Sequence, residues 1–341
     1  MKKMDEKDLT SMFQNKKILV TGATGSIGSE LVRTLLECKP SVIRLFSNDE
    51  NAHFDLEQEL KGESNLRFFV GDVRDKERLY RAIEDIDIVF HAAALKHVPL
   101  CEYNPFEAVK TNVIGTQNLL QVSMDEEVER LITISTDKAV NPVNVMGATK
   151  LLAERLTIAA NYYKGARRTI MSCVRFGNVL YSRGSVIPLF KSQIQKGGPV
   201  TLTDPSMVRF VMSIKKATEL VLKSAQMAEG GEIFIFKMPA LRVRHIAEIM
   251  IERLAPKYGY DIKDIKIQIV GKRSGEKSYE DLMTQEEATF AYETEDMFVI
   301  PAFNMKVAIG DRKYGVKQYT SKDVYKLTKK QVNDLLDEYL R

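Results

Sequence analysis

A glycine-rich turn, Thr21-Gly22-Ala23-Thr24-Gly25-Ser26-Ile27-Gly28, stands between the apolar run KKILV and the amphipathic stretch SELVRTLLE. No other feature of the chain constrains the fold as tightly. Glycine at 22, 25 and 28 lets the main-chain amides around Thr24, Ser26 and Ile27 approach a pyrophosphate at the start of a helix. There the helix dipole and free N–H groups favour an anion. The spacing predicts strand, phosphate-binding turn and helix at the opening of a sheet, with a dinucleotide as ligand. The bland reading of the same residues is a turn that needs glycine only for its backbone shape.

Short runs rich in Val, Ile and Phe recur: KKILVTG at 16–22, SVIRLFS at 41–47, LRFFVGD at 66–72, IDIVFHAAA at 86–94, RLITIST at 130–136 and TIMSCVRF at 169–176. Continuous apolar runs separated by amphipathic stretches read as parallel strands buried on both faces. The expected fold is a doubly wound α/β sheet. Residues 1–176 are expected to form the dinucleotide-binding domain, joined by some later segments, and residues 177–341 a smaller α/β substrate lobe with a C-terminal extension. In that second part PVTLTD and EIFIF predict strands, and 214–228, 243–255 and the terminal KLTKKQVNDLLDEYL predict helices.

Composition excludes more than it selects. The net charge is +4 over 341 residues, with no basic run interleaved with aromatics, so no nucleic-acid partner is expected. No stretch approaches about 20 apolar residues, so no membrane span is expected. Cys38, Cys101 and Cys173 are scattered and odd in number, which fits a reducing, cytoplasmic setting. His53, His91, His97 and His245 form no ligand pair, and no metal is expected.

Further positions fit the dinucleotide. GDVRD places Asp72, with Val73 beside it, at the end of the third run, where a carboxylate can accept from an adenine amino group; a helix N-cap is the alternative use of Asp72. Ala92, Ala93 and Ala94 are small enough to let the ligand lie close to the sheet. The second run ends on Phe46-Ser47-Asn48-Asp49, without an acid directly at the strand end to grip a free ribose 2′-hydroxyl. That favours NADP, with NAD the alternative, and leaves Ser47, Asn48 and Arg44 to meet the phosphate.

The segment STDKAVNPVNVMGATK sets Asp137 and Lys138 directly after the fifth run, at the carboxyl edge where ligands of such sheets bind. Partial burial is expected to lower the Lys138 pKa enough for it to take a proton, and to raise its neighbouring carboxylate enough to give one. A surface ion pair is the bland reading. Lys150 follows Met146 by one helical turn and shares its face.

TGxxGxxG at 22–28, HAAA at 91–94, Lys150 and RFGNV at 175–179 together resemble the extended short-chain dehydrogenase/reductase family, whose fold is the Rossmann sheet. Within it, HAAALKHVPLCEYNPFEAVKTNVIGT, STDKAVNPVNVMGATK, RFGNVLYSRGSVIPLF, LTDPSMVRF and RSGEK resemble the UDP-N-acetylglucosamine 4,6-dehydratases of surface-polysaccharide pathways. Most such enzymes carry a proton-moving tyrosine where this chain has Met146. Methionine there, with MFVIPA at 297–302, resembles the capsule-pathway branch, which inverts C5.

The resemblance implies an internal redox loop on a UDP-sugar: oxidation at C4, loss of the C5 proton and of water from C6, and reduction at C6 by a recycled cofactor. It makes Lys138 the C5 base, Asp137 the C6 acid and Lys150 the partner of the nicotinamide ribose. A thioether moves no proton, so the C4 hydroxyl proton is expected to pass to Lys138 or to a water relayed through Thr136. Met146 itself can be a plain packing residue. Lys96, Asn178, Arg209, Arg273 and Glu276 match positions that grip diphosphate and ribose, each alone also readable as a solvated polar group. Asn112 is expected to hold a water, to kink its helix, or simply to be polar. A homo-oligomer, dimer or hexamer, is implied. Two other readings stay open: an epimerase or retaining dehydratase, and a sensor that binds dinucleotide without turnover.

Overall fold

The computed structural model describes residues 6–302 and 316–340. All six apolar runs are strands: β1 Lys17–Thr21, β2 Val42–Ser47, β3 Leu66–Val70, β4 Ile88–His91, β5 Arg130–Thr136 and β6 Ile170–Phe176. They pair in parallel in the order β3-β2-β1-β4-β5-β6. β4 is buried along its whole length and β1 along all but its first residue. Full burial of a residue such as Ile88 or Phe90 contributes about 1.5–3 kcal/mol, which is realised only if helices cover both faces. The fold is therefore the expected doubly wound Rossmann sheet.

The chain beyond Phe176 does not stay apart. Ile233–Phe236, the EIFIF run, returns to lie parallel to β6; Met297–Ile300 then pairs antiparallel with it and Tyr292–Glu293 closes the edge, giving nine strands. Helix Ile214–Met227 covers this extension, with Leu220, Val221 and Leu222 in the same core as Leu31 and Leu35 of helix Ser26–Glu37. A four-residue run of Ile and Phe is buried wherever sheet edge is available, and the edge free to take it is β6.

The remaining segments form a second lobe with its own core, in which Ile187, Phe190, Ile246 and Met250 meet Val332 and Leu336 of the C-terminal helix Lys329–Leu340. Its sheets are small: Val208–Met212 flanked by Asn178–Val179 and Ala240–Arg242, and Val200–Leu202 paired with Ile267–Ile269.

Strand order reverses between β1 and β4, so the crevice at their carboxyl ends lies between Gly22 and the HAAA segment. Ligands of such sheets bind at that switch point.

Candidate active site

The glycine turn and the HAAA segment are in contact. A Cβ at Gly22, whose φ is +64°, would lie 2.7 Å from the Ala93 N and Cα atoms, and one at Gly28 would lie 2.2 Å from the Gly22 carbonyl oxygen. Gly25 caps the helix Ser26–Glu37 without a side-chain hydrogen bond, which leaves the first-turn amides of Ser26 and Ile27 to an anion. Gly28→Ala should therefore abolish dinucleotide binding and destabilise the fold by about 1–3 kcal/mol through overpacking against backbone. A cofactor titration and a denaturant midpoint test this, and unchanged binding would count against the turn as the phosphate site.

The residues expected at the adenosine end are closely interlinked. Thr24 Oγ1 lies 2.7 Å from Ser47 Oγ, and both residues are buried. Asn48 donates to Asp72 Oδ2 at 3.2 Å, and Arg74, 2.7 Å from the same oxygen, holds the Asp72 carboxyl below its usual range. Asp72 is not the N-cap; Asp75 caps the helix Lys76–Ile83 by accepting from the Arg78 amide. Val73 is buried under Gly115. Arg44 departs from expectation: its guanidinium donates to the carbonyls of Ala82 and Glu84, at the end of that helix, and lies over the Phe69 ring. A strand residue three positions before the carboxyl end is drawn to the orphan carbonyls of a nearby helix terminus.

His91, the last residue of β4, locks the floor of the crevice. The Thr116 hydroxyl donates to the Asn112 carbonyl at 2.7 Å, so at His91 Nε2, 2.9 Å away, it accepts. Nδ1 then accepts from the Thr21 hydroxyl at 2.8 Å. Burial, aided by the charge of Lys150, lowers the His91 pKa from 6.5 to about 3. Between those values the unfolded chain binds a proton that the folded chain refuses, so stability is lost as pH falls through this window, by about 1.4 kcal/mol per unit. His91→Asn should flatten the dependence, as read from urea midpoints at several pH values between neutrality and pH 4.

Asn112 sits in the π-turn Lys110–Ile114 and clamps Leu95 from both sides, accepting from its amide at 2.8 Å and donating to its carbonyl at 3.0 Å, while a second donation at 3.0 Å reaches Thr149 Oγ1. It ties the HAAA segment to the helix Val145–Tyr163.

That helix turns Met146, Thr149, Lys150, Ala153, Glu154 and Thr157 inward, an unusual amount of polarity for a buried face. Lys150 donates to the Ile134 carbonyl at 2.5 Å, and burial lowers its pKa against the opposing charge of Glu154. Met146 packs with Cys101 and Ala108 in a small apolar cluster. Gly147 brings the helix onto the turn after β5: a Cβ there would lie 2.2 Å from the Lys138 carbonyl oxygen.

On that turn Asp137 is fully buried, and its Oδ1 accepts from Thr136 Oγ1 and from Lys138 Nζ, both at 2.9 Å. Its Oδ2, beside Gly177, has no hydrogen-bond partner. The expected lowering of the Lys138 pKa is not what the structure produces. Burial does push it down, but Asp137 and then Glu280, 3.9 Å away, outweigh burial and hold the ammonium above its ordinary value.

Lys138 opens on a cleft of about 210 Å³ lined also by Asn144, Asn178, Arg209, Arg273 and Glu280. Asn178, Arg209, Arg273 and Glu276 continue into a cavity of about 280 Å³ walled by apolar residues such as Leu180, Phe190 and Ile246. Arg209 is less free than expected, because it donates to the carbonyls of Val208, Lys277 and Ser278 and so braces the RSGEK loop. Glu276 accepts from Thr203 Oγ1 and the Arg273 amide. Lys96 lies apart from this group, donating to the Arg183 carbonyl at 2.8 Å. Arg183 in turn reaches the glycine turn, giving a hydrogen bond of 2.6 Å to the Thr24 carbonyl.

Sequence reasoning passed over Glu280, Arg183 and the brace between Asn144 and the Gly275 carbonyl, 2.9 Å long. Only Gly147 carried a local signal, a glycine inside a helical repeat.

A Rossmann sheet whose switch point carries this glycine turn, with a lysine buried on the helix after β5, is the framework of the extended short-chain dehydrogenase/reductases. More narrowly, the chain belongs to the polysaccharide biosynthesis protein family, whose profile matches residues 18–302. It is 61% identical, over 97% of its length and 98% of the relative's, to a Methanocaldococcus jannaschii protein described as an uncharacterized membrane protein. Among the described residues of this chain, no helix is long and apolar enough to cross a membrane. It is 42% identical to a UDP-N-acetylglucosamine 4,6-dehydratase (inverting) of Campylobacter jejuni, over 85% of this chain and 84% of the other. A UDP-glucose 4-epimerase of Rickettsia typhi is 38% identical over 95% and 96%. Among solved structures, Pen from Bacillus thuringiensis superposes with a TM-score of 0.89 at 43% identity, covering 95% of this chain and 98% of Pen. The dTDP-glucose 4,6-dehydratase DesIV of Streptomyces venezuelae, solved with NAD bound, gives 0.69 at 26%, covering 76% and 86%.

Proposed function

We propose that this protein is a nucleotide-sugar 4,6-dehydratase that converts UDP-N-acetylglucosamine to a UDP-4-keto-6-deoxy-N-acetylhexosamine, with inversion at C5, for surface-polysaccharide synthesis. One observation carries the reading: a buried carboxylate, Asp137, hydrogen-bonded to Lys138, whose side chain opens on the cleft at the carboxyl edge of the sheet. An epimerase needs proton handling only at C4, whereas elimination of water across C5 and C6 needs an acid and a base side by side. The 42% identity to an inverting dehydratase supports the same choice.

A nicotinamide dinucleotide held at Gly22–Gly28 would supply the oxidation at C4 and the reduction at C6. The residues there fit this group: the first-turn amides of Ser26 and Ile27 would meet its phosphates, and the Asp72 carboxylate would serve its adenine. No carboxylate sits directly at the end of β2 to repel a 2′-phosphate, which supports NADP; parallel titrations with NAD and NADP test the choice.

The chain's own groups then divide the proton work. In the resting site Lys138 is held as an ammonium. One proton shift along its 2.9 Å hydrogen bond to Asp137 gives a neutral amine, able to take the C5 proton, and a carboxylic acid, able to protonate the departing C6 hydroxyl. Thr136 orients the carboxylate. Lys150, held dry under β5, places positive charge beneath the crevice. Arg273 and Asn178, which line both cavities, are the residues best placed for the diphosphate. The exposed apolar side chains Leu100, Tyr103 and Phe106 on neighbouring short helices support self-association.

Incubation with UDP-N-acetylglucosamine in deuterated water tests the reading. A dehydratase yields a product lighter by one water and carrying deuterium at C5, whose configuration tells inversion from retention. An isomer of unchanged mass would establish the epimerase, the reading favoured by the 38% identity to UDP-glucose 4-epimerases.

A further inference from the structure

Glu280 belongs to no motif discussed so far, yet its carboxylate lines the cleft beside Lys138. The residue is 3% exposed, its Oε1 lies 3.9 Å from Lys138 Nζ and 3.8 Å from Arg209 Nε, and its Oε2 has no hydrogen-bond partner. The backbone around it is pinned: the Glu280 amide donates to Ser321 Oγ at 3.0 Å and its carbonyl accepts from the Ser321 amide at 2.8 Å. A buried carboxylate with an idle oxygen is costly to keep unless it does something for its neighbours. At this distance it does not displace Asp137 as the Lys138 hydrogen-bond acceptor; it acts through charge.

We propose that Glu280 is a positioning residue for proton transfer, its carboxylate deciding, across 3.9 Å of the cleft, when the Lys138 amine becomes free to take a proton from the sugar. This rests on the dehydratase reading. The charged groups facing Glu280 are Lys138 and Asp137 on the turn after β5, Arg209 on the strand Val208–Met212 and Lys277 on its own loop. Burial and the Asp137 charge favour a proton on Glu280, while Lys138, Arg209 and Lys277 favour its removal. The carboxylate is therefore poised to exchange a proton with the cluster as substrate enters. When ionised it favours the ammonium form of Lys138; when protonated, or neutralised by an incoming group, it lets the amine go free.

The test is Glu280→Gln, which keeps shape and removes charge. Two readouts are taken on the full chain: the pH profile of kcat with UDP-N-acetylglucosamine, and the pH dependence of Lys138 acylation by an amine reagent, resolved by peptide mass spectrometry. Loss of the negative charge should move the acidic limb of kcat, and the Lys138 labelling midpoint, to lower pH by about one unit, with KM within about twofold. Glu280→Asp, which withdraws the charge by one methylene, should shift both by less. It also serves as the test variant should the glutamine protein fail to fold. An unmoved labelling midpoint in whichever variant folds overturns the proposal. Wild-type protein inert toward the sugar nucleotide would instead remove the dehydratase reading, and the labelling arm would still decide whether Glu280 governs Lys138.

Discussion

Lys138→Met should lower the rate of 4-keto product formation by about 10²- to 10⁴-fold, the range general acid–base groups contribute, while dinucleotide binding stays near wild type. The substitution keeps the length of the side chain and removes its amine, so neither the proton shift to Asp137 nor abstraction at C5 can occur. The glycine turn is untouched, because Lys138 lies on the turn after β5 and contacts none of residues 22–28. A secondary effect follows from burial: Glu280 loses the nearby cation that opposes its protonation. Product rate by mass spectrometry and cofactor affinity by titration are the two measurements. A variant that still turns over within tenfold of wild type would sink the assignment of Lys138, since each tenfold is about 1.4 kcal/mol of barrier.

Arg175→Met is expected to cost about 3–5 kcal/mol of stability, the loss seen when one partner of a buried ion pair is removed. Arg175 is 1% exposed and its guanidinium is bidentate to Glu154, with contacts of 3.1 and 2.7 Å, and bonded to both oxygens of Glu287. Removing it strands Glu154, which is wholly buried, without its hydrogen-bonded counter-charge. Denaturant unfolding measures the loss. Replacing both Arg175 and Glu154 by apolar residues should recover part of it, because what is expensive is the orphaned charge and not the absence of the pair. If the single variant loses less than about 1 kcal/mol, the cluster is more hydrated than its burial indicates. Glu154 also faces Lys150 one turn back, so the network links the stability of the helix to the charge beneath the crevice.

Much of the sheet was legible because a parallel strand covered on both faces must be apolar along its length, and runs such as IDIVF and RLITIST satisfy that with no outside information. The glycine turn was legible for the same kind of reason: its requirement is local backbone shape, and a Cβ at Gly22 or Gly28 meets backbone atoms within the same unit or the adjoining strand end. Asp137, Lys138 and Lys150 were legible as candidates because their spacing around one strand end and one helical turn is set by chain geometry alone.

The electrostatics of those candidates were not. Lys138 was expected to be lowered by burial, and the sign reverses because the neighbouring Asp137, joined by Glu280 from 142 positions further along the sequence, outweighs burial. Arg209 looked like a free phosphate ligand and is largely spent on the carbonyls of Val208, Lys277 and Ser278. Arg44 looked available and is committed to a helix end. Chain order determined where strands, turn and motif residues lie, since those follow from side-chain periodicity and backbone freedom over a few residues. Only the tertiary structure decided which charges share a dielectric and which donors remain unused, since Coulomb energies and hydrogen-bond saturation depend on distances in space that no run of neighbours encodes.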